Sequence, residues 1–319
     1  MSTLHGRPAA TREQGLFSLA DVEPAALRKL VARSAELFHD RRAHDLPLRD
    51  RLVGVLFTRT STRTRTAFQA GAVRLGGTPV CYGPHDLQLD TGESVGDTGR
   101  ILGAMLDLLV ARTAGPVRHL RELSGEGGLP VVNAMAAEEH PTQAVCDLAT
   151  LTLAYGDLSG IRVLYLGEGN NTATALAHGL ATVPAAHVTF VTPPGYGLPD
   201  GVLAAARRVA RDTGAVLAET HCPAEAPDRV DVVYTTRWQT TGTSKADASW
   251  REVFRPFHVD EALMRRWPRA SFLHDLPAHR GDEVAGAVLD GPRSLAWTQA
   301  AMKLPSAMAV LECVVRPTA

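Results

Sequence analysis

The stretch Phe57-Thr58-Arg59-Thr60-Ser61-Thr62-Arg63-Thr64-Arg65-Thr66 constrains this chain more than any other. An apolar run, Leu52 to Leu56, comes before it and reads as a buried parallel strand. The segment after it, Ala67 to Leu75, carries helical spacing and stops at Gly76-Gly77, a C-cap signal. The hydroxyls of Ser61, Thr62 and Thr64 and the guanidiniums of Arg63 and Arg65 therefore fall between a strand end and a helix N-terminus. Free N–H groups and the helix dipole favour an anion there, and arginine offers a planar fork matched to phosphate oxygens. A solvated turn with capping hydroxyls is the simpler alternative, but the alternation of basic and hydroxyl side chains predicts a phosphate site.

The background to this loop is neutral. Net charge is −1 over 319 residues, so the basic loop is a local feature suited to a small anion, with no sign of a nucleic-acid or membrane partner. The length predicts two domains of roughly 150 residues each. Four scattered cysteines, Cys81, Cys146, Cys222 and Cys313, show no metal-ligand spacing and read as thiols of a reducing compartment. Met1 to Gln14 is polar, and no apolar run reaches transmembrane length, so a cytoplasmic location is expected.

Strands and helices alternate along the rest of the chain. A helix runs to about Phe38, and strands are expected at 78–82, 107–112 and 129–134, with a helix at 93–106. His85 to Thr91 reads as a polar, mobile loop. A long apolar helix, Ala144 to Tyr155, follows His140-Pro141-Thr142-Gln143 and is placed to join two domains. A second alternating unit has strands at 161–167, 187–192, 231–235 and 271–274 and helices at 172–180, 203–212 and 259–266; residues 236–250 read as a polar loop, and a helix at 298–314 closes the chain. Gly167-Glu168-Gly169 follows a strand, but the third glycine and the acidic residue of a dinucleotide site are both missing. The expected fold is α/β, two doubly wound parallel-sheet domains joined by long helices. The first covers 1–145 and is completed by 298–319; the second covers 146–297.

These residues resemble the aspartate/ornithine carbamoyltransferase family. Ser61-Thr62-Arg63-Thr64-Arg65 is similar to that family's carbamoyl-phosphate signature and His140-Pro141-Thr142-Gln143 to its second motif. Glu93-Ser94, Asp97-Thr98, Arg112 and His274-x-Leu276-Pro277 match in order and spacing. The likeness spans nearly the whole chain. It implies a carbamoyl-phosphate domain, an amino-acid domain, a homotrimer with active sites shared between subunits, and no metal or organic cofactor. Carried over by position, Ser61, Thr62, Arg63 and Thr64 would hold the phosphate, with Lys303 near where the ornithine branch has an arginine. Arg112, His140, Gln143 and the backbone carbonyl of Leu276 would hold the carbamoyl group. Arg65 is expected to support the loop through an ion pair with Glu93. The chemistry agrees: carbamoyl transfer needs donors for an oxyanion and a cation for departing phosphate, which Arg112, Thr64, His140 and Arg63 can supply.

The acceptor side departs from both familiar branches. Gln88, Asn171, the Pro193-Pro194-Gly195-Tyr196 turn and Ala278-His279-Arg280-Gly281 look ornithine-like. The ornithine branch's Asp-x-Trp-x-Ser-Met-Gly, however, is here Thr236-Arg237-Trp238-Gln239-Thr240-Thr241-Gly242, and the cysteine of its His-Cys-Leu-Pro loop is Asp275. Thr236 thus replaces an acid, while Arg237 and Gln239 resemble the aspartate branch, where such a pair meets a substrate carboxylate. Asp275 is a candidate to orient an ammonium or to take the amine's proton, or it only caps its own loop. The expected acceptor is a primary amine of an amino acid other than plain ornithine, such as 2,3-diaminopropionate or a modified ornithine. Ornithine or aspartate proper, or a non-catalytic carbamoyl-phosphate-binding subunit, are the alternatives; Asn171, standing where the aspartate branch has an arginine, weighs against aspartate.

Overall fold

A computed structural model describes residues 15–42, 44–125, 127–240 and 243–316. All of the polar N-terminal stretch Met1 to Gln14, the Thr241-Gly242 pair and residues 317–319 of the segment expected to complete the first domain lie outside them.

The first half alternates strictly. β1 (Gly15–Leu16), α1 (Pro24–His39), β2 (Leu52–Phe57), α2 (Arg63–Arg74), β3 (Thr78–Tyr82), α3 (Val95–Met105), β4 (Leu108–Arg112), α4 (Val117–Ser124) and β5 (Val131–Met135) give a parallel sheet of order β1-β5-β4-β2-β3. α5 (Pro141–Tyr155) leads into β6 (Arg162–Leu166), α6 (Asn171–Ala181), β7 (His187–Val191), α7 (Val202–Thr213), β8 (Val216–Thr220) and β9 (Val232–Thr235). Short helices α8 (Trp250–Phe254) and α9 (Glu261–Met264) precede β10 (Ser271–His274); α10 (Gly286–Leu289) and α11 (Ala296–Val315) close the chain. The second sheet, also parallel, runs β10-β9-β6-β7-β8.

β4 and β5 read as apolar runs because every residue in them is buried, as parallel strands covered on both faces must be. In α5, residues 141–151 are all buried, which explains its lack of a polar face. That helix lies in one continuous apolar cluster that includes Val53 and Val55 of β2 and Val163 and Tyr165 of β6. α11 packs on α1, α2 and α5, so the last helix returns to the first sheet. Among the described residues, no helix is long and apolar enough to cross a membrane.

Four differences from the sequence reading have physical causes. α2 begins at Arg63, four residues before its apolar spacing, so the basic loop supplies the helix's first turn. α4 went unread because only Leu120, Leu123 and Ser124 of its eight residues are buried. β8 is an edge strand with exposed Val216, too polar to read as a buried run. The segment read as a polar loop at 236–250 ends in α8, whose Trp250 and Phe254 are buried.

Candidate active site

The ligand-binding end of an open parallel sheet lies beyond the carboxyl ends of its strands, where the strand order reverses. In the first sheet that point falls between β2 and β4, in the second between β6 and β9. A pocket of about 200 Å3 lies where the two meet, lined by the residues that follow β2, β4, β5, β6, β9 and β10. Of the expected residues it brings together Ser61, Thr62, Arg63, Thr64, Arg112, His140, Gln143, Asn171, Thr236, Arg237, Asp275, Leu276 and Lys303. Gln88 and Gln239 do not line it. Gln88 sits on a 3-10 turn and accepts the Thr91 hydroxyl at 2.8 Å, while Gln239 Nε2 donates to the Thr243 carbonyl at 2.6 Å.

On the wall from the first sheet, the Thr58 N–H donates to the Arg112 carbonyl at 3.0 Å, which ties the start of the basic loop to the end of β4. A register shift between Ala111 and Arg112 sets the arginine opposite Met135. Arg112 is buried, and its Nε has no hydrogen-bond partner among the described residues. Burial brings its pKa down to about 10, with Asp275 opposing and Arg63 adding to the shift, so it stays cationic at neutral pH. The Arg63 pKa is lowered in the same way by burial, and Asp275 counteracts it. The expected Arg65–Glu93 ion pair is absent; Glu93 instead accepts the Thr98 hydroxyl at 2.6 Å.

His140 is buried at the N-cap of α5, its N–H donating to the Asn171 carbonyl at 3.1 Å. Burial, then Lys303 and Arg112, hold its pKa well below the usual histidine range, so the ring is neutral. One turn on, Gln143 Nε2 donates to Asp147 Oδ1 at 2.6 Å, and its Oε1 accepts from the buried Lys303 ammonium. Asp147 also accepts from Gln299 Nε2 at 2.6 Å and the Tyr234 hydroxyl at 3.0 Å, and burial pushes its carboxyl up to about 6. Burial likewise lowers the Lys303 pKa, while Cys146, Asp147 and Asp275 raise it.

On the wall from the second sheet, Asp275 is held between two hydroxyls, Thr172 Oγ1 at 2.9 Å and Thr236 Oγ1 at 2.8 Å. Its neighbour Leu276 sits at φ +52, a region rare for a β-carbon residue, and donates its N–H to His274 Nδ1 at 2.8 Å. With Nδ1 accepting, the His274 proton lies on Nε2, 3.1 Å from Glu283. Asn171 Nδ2 donates to the Ala136 carbonyl at 2.8 Å, which joins α6 to the end of the first sheet. Gly167 has φ +132, and a β-carbon on Gly169 would come 2.3 Å from the backbone of Gly197 and Leu198. Gly167 is required by its backbone angle and Gly169 by the close approach of the neighbouring backbone.

Among the described residues, four cations, Arg63, Arg112, Arg237 and Lys303, line the pocket against one carboxylate, Asp275. Such a cavity suits a polyanionic ligand and keeps a single acid for an amine. Among the described residues, no group of His, Cys, Asp or Glu could hold a metal ion. Sequence reasoning missed Thr172 and Asp147. Thr172 directly follows Asn171, already singled out, and Asp147 stands four residues after Gln143, a spacing that pairs side chains on a helix.

Both halves of the chain match domains of one known family. The carbamoyl-P binding domain of aspartate/ornithine carbamoyltransferase matches residues 14–152, and the Asp/Orn binding domain of the same family matches residues 159–314. An ornithine carbamoyltransferase of Anoxybacillus flavithermus is 37% identical over 299 residues, 92% of this chain and 94% of that protein. The crystal structure of ornithine carbamoyltransferase from Gloeobacter violaceus superimposes with a TM-score of 0.84 at 33% identity, covering 96% of this chain and 99% of that one. The Pyrococcus furiosus enzyme of the same name gives a TM-score of 0.87 at 31% identity over 94% of this chain and 96% of its own. The chain belongs to the aspartate/ornithine carbamoyltransferase family, with its similarity on the ornithine side, and is a carbamoyltransferase.

Proposed function

We propose that this protein moves the carbamoyl group of carbamoyl phosphate onto a primary amine of an amino acid other than plain ornithine, a short diamino acid such as 2,3-diaminopropionate or a modified ornithine. The observation that carries this is Asp275, a carboxylate held by Thr172 and Thr236 in a wall that also contains Arg237. Position 236, where the ornithine-like motif has an acid, is a threonine. Asp275, the one acid among the described lining residues, is therefore assigned to the amine that approaches the carbamoyl group.

In this reading Ser61, Thr62, Arg63 and Thr64, at the N-terminus of α2, bind the phosphate with Lys303 behind them. Arg112, Thr64 and a neutral His140 N–H donate to the carbonyl oxygen. The Gln143 amide, whose nitrogen is taken by Asp147, offers the carbamoyl NH2 the second lone pair of the oxygen that Lys303 shares, together with the Leu276 carbonyl. The amine attacks the carbonyl carbon, and its proton passes to Asp275. The tetrahedral intermediate then collapses, breaking the C–O bond to phosphate and leaving a ureido product. Carbamoyl phosphate brings about two negative charges, which Arg63, Arg112 and Lys303 meet, and Arg237 in the acceptor wall is assigned to a substrate carboxylate without help from Gln239, whose amide is held by Thr243. Asn171 faces the same substrate. The N-terminal part through residue 145 with the last helix handles the donor, and residues 146–297 the acceptor. Gln88 lies away from its own pocket, which fits a trimer in which it serves a neighbouring subunit's site.

The test is phosphate release from carbamoyl phosphate with a panel of amino-acid amines. Release with a diamino acid shorter than ornithine, or with a modified ornithine, supports the proposal. Release with ornithine or aspartate alone overturns the acceptor assignment, and silence with tight carbamoyl-phosphate binding indicates a binding subunit instead.

A further inference from the structure

A lysine ammonium is strongly hydrated and seldom buried without a partner. Lys245 is an exception to its surroundings: it belongs to the polar 236–250 segment, yet its side chain is only 4% exposed. The ammonium pairs with Glu168 Oε1 and lies over three rings, 4.5 Å from the centroid of Tyr196, 4.8 Å from Phe254 and 5.5 Å from Trp250. The rings form one cluster around Phe254, with Tyr196 at 4.8 Å, Trp250 at 5.4 Å and Trp238 at 5.7 Å. Trp238 follows Arg237 directly, so the cage and the acceptor wall share a strand of chain.

Glu168 connects this cage to the pocket. Its other oxygen accepts from Thr240 Oγ1 at 3.3 Å, and Asn170 Nδ2 donates to the same hydroxyl at 3.0 Å. Asn170 Oδ1 in turn caps α6 by accepting from the N–H groups of Thr172 and Ala173. Thr172 is the residue that holds Asp275. A path of ion pair and hydrogen bonds thus runs from Lys245 through Glu168, Thr240 and Asn170 to Thr172, one of the two threonines that hold Asp275. Among the described residues, no hydrogen bond joins it to Arg63, Arg112 or Gln143.

We infer that Lys245 is a positioning residue for acceptor specificity: caged by Tyr196, Trp250 and Phe254 and paired with Glu168, it fixes the Arg237–Thr240 wall against the Asn170–Thr172 turn. This rests on the carbamoyl-transfer reading above and adds a determinant outside the pocket lining. An ion pair in an aromatic, water-poor cage is stronger than one at the surface, because attraction rises as the local dielectric falls.

The experiment uses Lys245→Met, which keeps an unbranched stem in the cage and removes the charge, with Lys245→Arg and Glu168→Gln beside it. Three readouts are taken: the carbamoyl-phosphate Kd by calorimetry, kcat and KM with L-2,3-diaminopropionate and L-ornithine, and acrylamide quenching of tryptophan emission. In Lys245→Met and Glu168→Gln, KM for the amine that is turned over should rise about tenfold. The carbamoyl-phosphate Kd should stay within about twofold, quenching should increase, and Lys245→Arg should fall between wild type and Met. Unchanged KM and quenching overturn the inference, as does an equal loss of carbamoyl-phosphate affinity, the mark of a general structural defect. If the wild type carbamoylates neither of these amines nor a modified ornithine, the acceptor reading fails by itself. The clasp is then decided by quenching: an increase at unchanged carbamoyl-phosphate affinity supports it, and no increase overturns it.

Discussion

Asp275→Asn separates the two halves of the proposed reaction. Asp275 accepts two hydroxyl hydrogen bonds, from Thr172 at 2.9 Å and Thr236 at 2.8 Å. Asparagine keeps one acceptor oxygen and offers an NH2 to the other hydroxyl, which has lone pairs to receive it. The fold should therefore lose only about 1 kcal/mol, the difference between charged and neutral hydrogen bonds. At about 2.1 cal/mol/K of unfolding entropy per residue, 319 residues turn that into a Tm change of about 2 °C. Turnover should fall much further, by about 10²–10⁴-fold, the usual worth of a positioned base. Carbamoyl-phosphate binding should hold or tighten, because Asp275 counters the positive field of Arg63 and Arg112. The assay is calorimetry for the donor and mass detection of ureido product across pH. An alkyl amine titrates near 10.4, so going from about pH 7.5 to 9.5 raises the free amine roughly hundredfold. The kcat/KM of the variant should recover with it, and that of the wild type should change far less. Unchanged turnover, or a carbamoyl-phosphate affinity that falls in step with turnover, refutes the reasoning.

Two further outcomes follow from the buried charges. Arg112→Met removes the buried cation aimed at the carbonyl oxygen and should lower kcat by about 10²–10³-fold with a smaller effect on the amine KM; equal kcat in single-turnover experiments contradicts this. Asp147 is raised in the folded state to about 6 from 3.8 unfolded, so the native protein holds the extra proton between those values. Its contribution to stability is full below pH 3.8 and is lost as pH rises through about 6, because the unfolded chain gives up the proton first. Asp147→Asn lacks this term, so urea unfolding should show the variant gaining on the wild type from pH 4 to 6 and a constant difference above; a flat difference across that range counts against a buried carboxylate.

Much of the fold was legible because parallel strands buried on both faces become apolar runs, as β4 and β5 do. The donor side was legible for a similar reason: Ser61 to Arg65 and His140 to Gln143 are contiguous, each set by one strand end or one helix start. The rest depends on contacts distant in sequence. Thr172 meets Asp275 across 103 residues, and Lys303 meets Gln143 across 160. β8 went unread because an edge strand buries little, here only Leu217 of five residues, and Lys245 gave no signal because its aromatic partners come from separate segments. The misread pair, Arg65 with Glu93, shows the limit of spacing: Thr98, five residues on and within the turn of α3, takes the carboxylate first.

The central claim is the choice of acceptor, and the direct measurement is kcat/KM for L-ornithine and L-2,3-diaminopropionate, with modified ornithines in the same panel, at saturating carbamoyl phosphate with ureido product read by mass. The account predicts a diamino acid other than plain ornithine, preferred over it by at least about tenfold. Ornithine turned over at about 10⁴–10⁸ M⁻¹s⁻¹, with the shorter and modified amines ignored, would contradict it.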